Sequence, residues 1–111
     1  MTNRRGSASR ADVMNPDDCS TMMEVRAGVD ALDAELVALL ARRFGYMRAA
    51  ARIKPERGHV RDEARKTAVI DNAVAAARAA GIPAEAIGAM WETLVEASIA
   101  YELAEWERRR A

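Results

Sequence analysis

Residues 25–54 read VRAGVDALDAELVALLARRFGYMRAAARIK, and this stretch decides the fold. No proline interrupts it. Apolar side chains recur at Val25, Val29, Leu32, Leu36 and Leu39, in steps of four and three, the spacing of one helical face. Continued, those steps reach Arg43 and then Tyr46 or Met47. An arginine therefore stands in line with a stripe expected to be buried. Lys54 lies eleven residues beyond Arg43, almost a whole number of turns, and shares that face. Burying an unpaired charge costs on the order of several kcal/mol or more. Cations on a core-facing stripe thus point to a partner or an anionic ligand.

The flanks bound this helix. Thr21 and Glu24 form an S/T-x-x-E capping box just before the apolar repeat. Asp17 and Asp18 suit the positive end of the helix. Pro55 disfavours helix in the residue before it, and Gly58 follows. The predicted helix, Glu24 to Lys54, spans roughly 45 Å, longer than a domain this small is usually wide. The rest of the chain cannot cover it, so a second copy is expected alongside.

Beyond a loop from Pro55 to Arg61, a second helix is predicted over Asp62 to Ala80, with Asp62 as N-cap. Gly81 and Pro83 mark a tight helix-to-helix connection. A third helix is predicted over Ala84 to Arg109. Ile87, Trp91, Leu94, Ser98 and Glu102 share one face of it, with Val95, Ile99, Leu103 and Trp106 beside them. Arg108, Arg109 and Arg110 suit a helix C-terminus. No strand pattern or internal repeat is visible, so the fold class is all-α. Residues 1–15 are polar and aperiodic and are expected to form a disordered tail, leaving 16–111 as the domain. Met14 is a candidate alternative start.

Composition agrees. Of 111 residues, 50% are hydrophobic and only 5% aromatic, a helical balance with room for a modest core. The 17 basic and 17 acidic residues cancel, which argues against nucleic acid as partner. Lys54 and Lys66 are the only lysines; the other cations are arginines, suited to planar contact with carboxylates. Cys19 is alone, so no internal disulfide or Cys/His zinc pattern exists. His59, beside Gly58, reads as solvated. No apolar run is long enough for a membrane span, and the N-terminal arginines are not followed by a signal-like apolar segment. A cytoplasmic protein with no metal is expected.

Arg43 alone would read as a snorkelling side chain, and Glu102 alone as an edge residue. Arg43 and Lys54 on one helix, with Ser98 and Glu102 on another, point instead to a polar pocket within a helical bundle. The ordered set is Arg26, the pair Arg42 and Arg43, Lys54, the run from Val60 to Arg65, and SIAYE from Ser98 to Glu102. It resembles the all-helical (class II) chorismate mutase family, whose relatives include the isochorismate-pyruvate lyases of salicylate synthesis. The resemblance covers residues 16 to 106. RRFGYMRAAARIK and the short loop after Lys54 look especially like the lyase branch.

The resemblance implies three-helix chains intertwined as a homodimer with two shared active sites and no cofactor. It also implies that an arginine near the start of the first helix crosses to the other site. Spacing agrees: Arg26 and Arg43 lie about 25 Å apart along one helix, too far for one small dicarboxylate to touch both. Carried over by position, Arg26 of the partner subunit and Arg43 hold the two carboxylates. Lys54 serves the ether oxygen and the neighbouring carboxylate. Asp62 and Ser98 match polar contacts around the ring hydroxyl, Arg65 supports the loop side, and Glu102 stands where the family carries glutamine or glutamate. Lys66 departs from the pattern, since many mutases have a glutamate there that contacts the hydroxyl.

The implied reaction is a Claisen rearrangement of chorismate to prephenate, with Lys54, Glu102 and Arg43 as catalytic residues. It is served by holding the reactive conformer and by donors at the ether oxygen. Glu102 can donate only when protonated. The nearest rival is conversion of isochorismate to salicylate and pyruvate. A rival of another class, a non-catalytic helical dimerisation module, explains the long helix but not the polar residues on its buried faces.

Overall fold

The structure is a computed structural model that describes residues 13–111. The described elements are a 3-10 turn (Pro16–Asp18), α1 (Met22–Ile53), a second 3-10 turn (Arg57–His59), α2 (Glu63–Ala80) and α3 (Ala84–Arg109). No strand occurs among the described residues. The tail expected over residues 1–15 falls, for residues 1–12, outside the described part. The chain divides into two compact units, one through Arg43 and one from Phe44 onward.

In the first unit, the start of α1 is locked by the expected capping box. Thr21 N–H donates to Glu24 Oε1 at 3.0 Å and Glu24 N–H donates to Thr21 Oγ1 at 3.2 Å. Ser20 N–H adds a bond to the same Glu24 oxygen at 2.8 Å. These donors, Ser20 first and then Thr21, hold the Glu24 carboxyl below its usual range. Asp17 and Asp18 do not enter the helix; they sit in the preceding 3-10 turn.

The apolar stripe of α1 is left open within the protomer, as expected of a helix too long for the rest of the chain to cover. Val25, Val29, Leu32, Leu36 and Leu39 are 37–55% exposed in the protomer. The physical reason is length. At about 1.5 Å per residue, 32 residues span about 48 Å, and nothing in the described chain seals this face. Part of it borders a cleft of about 380 Å³ whose walls include Val13, Met14, Cys19, Val25, Val29 and Leu32. None of the candidate site residues lies in that cleft.

In the second unit, α1 runs to Ile53, one residue short of the expected end, and Lys54 N–H still donates to Ala50 O at 2.9 Å. Asp62 caps α2, its Oδ1 accepting from Arg65 N–H at 3.0 Å. Gly81 closes α2 at φ +74°, the left-handed region that glycine adopts freely, and Ile82 N–H bonds back to Ala77 O at 3.0 Å. α2 and α3 then pack closely: a Cβ on Gly88 would stand 3.1 Å from a Val74 methyl. The sealed apolar interior is small, consisting of Ala51, Val60, Ala77 and Val95. Phe44 and Tyr101 meet edge to face at 4.9 Å, and the Arg48 guanidinium donates to the Tyr101 hydroxyl at 2.8 Å.

An ion-pair network ties the segment before α2 to α3. Arg61 grips both oxygens of Glu96, at 2.7 and 3.1 Å. Lys66 reaches Glu96 at 2.6 Å and Glu92 at 2.8 Å. Arg61, then Lys66, hold the Glu96 carboxyl down at about 2. His59 is exposed, as expected of a loop residue.

Candidate active site

The site is built where the end of α1 meets the second half of α3. Lys54 is the first residue past α1, and Pro55 prevents the helix from carrying it further round. Its side chain lies toward α3, where Ser98 and Glu102 stand one turn apart. Both are buried, at 3% and 4% exposure. Lys54 Nζ approaches Glu102 Oε2 to 2.7 Å. The distance is that of an ion pair, but Oε2 makes no hydrogen bond of good geometry. Nζ also lies 3.5 Å from Val60 O, at the limit of a hydrogen bond. The Ser98 hydroxyl donates to Leu94 O at 2.7 Å, one turn back on its own helix.

The seven residues singled out from the sequence fall into three groups. Lys54 and Glu102 are brought into contact, with Ser98 one turn from Glu102 on α3. Asp62 and Arg65 meet at the N-cap of α2, where the Asp62 side chain satisfies a helix-end N–H. Arg26 and Arg43 both lie on α1 in the first unit, Arg26 exposed and Arg43 half-buried. Lys66, the residue that departs from the family pattern, is held by Glu92 and Glu96. Those carboxylates, Glu92 first, raise its hold on its proton.

Sequence reasoning missed the second set of contacts on Lys54. Its carbonyl oxygen accepts from Trp106 Nε1 at 2.9 Å and from the Arg110 guanidinium at 2.8 Å. Arg110 also donates to Ala51 O at 3.1 Å and lies 4.2 Å over the Trp106 ring. A bond from Arg110 to Trp106 O at 3.3 Å does cap its own helix, but its other bonds serve the end of α1. The available signal was the four-residue spacing of Glu102, Trp106 and Arg110.

Chemically, the arrangement offers an ammonium beside a buried carboxyl, in a partly sheltered place. An entering anion can draw the ammonium to itself. The carboxyl can then accept a hydrogen bond when ionised or donate one when protonated. Among the described residues, no three His, Cys, Asp or Glu side chains gather as a metal site, and no helix is long and apolar enough to cross a membrane.

The sequence pattern of the family described as chorismate mutase type II matches residues 25–103. The chain is also similar to the isochorismate pyruvate lyase of Pseudomonas aeruginosa. The two are 25% identical over 95 residues, covering 86% of this chain and 94% of that protein.

Proposed function

This chain belongs to the chorismate mutase type II family, and from that premise we propose that it acts as a chorismate mutase, rearranging chorismate to prephenate. In this reading the ether C–O bond breaks as a C–C bond forms between the enolpyruvyl arm and the ring. No proton, electron or cofactor is exchanged. The protein contributes conformational restraint and donors where negative charge grows on the ether oxygen. Lys54 is the first donor and protonated Glu102 the second. Arg43 and Arg26 of the partner subunit hold the two carboxylates, within a homodimer that closes the open face of α1. Asp62, Arg65 and Ser98 line the approach to the ring.

The observation that carries this reading is the Lys54–Glu102 contact at 2.7 Å, between residues 48 positions apart, on a carboxyl with only 4% exposure. A purely structural bundle gains little from such a pair, since well-packed apolar side chains in its place are often as stabilising or more so.

A second reading is conversion of isochorismate to salicylate and pyruvate by the same cationic clamp. Two observations favour it: the name of the Pseudomonas aeruginosa relative, and Lys66 standing where many mutases carry glutamate. Incubating the purified chain with each substrate separates the two. Prephenate from chorismate, without salicylate from isochorismate, supports the mutase; the reverse result replaces it with the lyase.

A further inference from the structure

We propose that Trp106 and Arg110 are positioning residues that set where the Lys54 ammonium lies, an assignment that rests on the reading of Lys54 as donor to the ether oxygen. Glu102, Trp106 and Arg110 follow one another at four-residue intervals, so they present one strip of α3 and its cap to the end of α1. The strip holds Lys54 at both ends. Glu102 takes the ammonium at 2.7 Å, while Trp106 and Arg110 take the backbone carbonyl at 2.9 and 2.8 Å.

That carbonyl lies at a helix end, where no backbone N–H of the same helix can reach it. Both of its lone pairs are used, one by a neutral indole N–H and one by a cation. The cation also bonds Ala51 O and stacks on the indole, so the two donors brace each other. A positive group at the C-terminal end of α1 is further favoured by the helix dipole. Lysine has a long flexible stem, so the point at which its backbone is pinned limits the volume its ammonium can sweep. Pro55 fixes the chain on the other side of that point.

The test compares Arg110→Ala, Arg110→Lys and Trp106→Phe in the full chain, alone and combined with Lys54→Ala. Trp106→Phe keeps a ring under Arg110 but removes the N–H. Turnover is measured on whichever of chorismate and isochorismate the wild type converts, with circular dichroism to check folding. For Arg110→Ala and Trp106→Phe we expect kcat to fall about tenfold or more, as misplacement on the order of 1 Å does, with KM little changed. Arg110→Lys keeps the cation but not the two-carbonyl fork, and should recover part of the loss. On the Lys54→Ala background, neither change should cost anything further, because both act through Lys54. Unchanged kcat in the single variants, or an undiminished further loss on that background, overturns the assignment. If Arg110→Ala fails to fold, Trp106→Phe and Arg110→Lys carry the same comparison. A wild type inert on both substrates would instead defeat the reading of the site itself, and would be seen before any variant was made.

Discussion

Lys54 Nζ stands 2.7 Å from Oε2 of Glu102, joining the end of α1 to a carboxyl almost wholly shut off from water. Removing the ammonium strips the proposed site of its donor to the ether oxygen. Lys54→Ala is expected to lower turnover by about 10²- to 10³-fold, the usual cost of losing one well-placed donor to a developing oxyanion. Helical circular dichroism should be retained. Near-normal kcat in a folded variant rules out the proposed role.

In the proposed site Glu102 is the second donor to the ether oxygen. Glu102→Gln keeps a donor at the same place and is expected to retain activity, whereas Glu102→Ala removes it and should lower kcat by about 10²-fold or more. A folded Glu102→Ala variant with wild-type kcat is incompatible with this use of the carboxyl.

The open leucines of α1 supply a prediction about assembly. Leu36 is 55% exposed in the protomer. Burying one leucine stabilises by about 1.5–3 kcal/mol, and a two-fold interface counts it twice. Leu36→Glu should therefore weaken the proposed homodimer by about 10²-fold or more. Sedimentation velocity should show a monomer at concentrations where the wild type is dimeric, with activity lost in parallel. A variant that stays dimeric and active would show that this face is not the interface.

The Glu96 network predicts how the fold responds to acid. Its carboxyl is depressed from 4.5 to about 2 by Arg61 and Lys66. A group depressed on folding contributes stability above its unfolded pKa, and that contribution is lost as pH falls through its folded value. The thermal midpoint should therefore decline between about pH 4.5 and pH 2, and less steeply in Glu96→Gln. Equal slopes in the two proteins would show that Arg61 and Lys66 do not act through Glu96.

Much of the fold was legible because helix ends are written locally. Thr21 with Glu24, Asp62, and Gly81 with Pro83 each act within a few residues of themselves, and the structure uses them as expected. Asp17 and Asp18 precede α1, but the 3-10 turn that holds them was not foreseen, because so short a turn has no periodicity to read. Glu102 could be found because it breaks an apolar period on α3. Trp106 and Arg110 share its four-residue spacing, but an indole beside a core stripe and an arginine at a helix end both look ordinary. Their task depends on which carbonyl lies opposite, and only the packing of α3 against α1 decides that. The exposure of the α1 stripe within the protomer was legible from the length of the helix. Periodicity tells which side chains seek cover, not which molecule supplies it.

Ala51, Val60, Ala77 and Val95 are all small, so a solitary chain has little to hold it together. In the proposed homodimer a copy of the chain closes the bare side of α1, which would make endurance a matter of dose. By mass action, the melting temperature should climb as protein is concentrated and sink on dilution. Product formation at low expression should then rise faster than in proportion to the number of copies made.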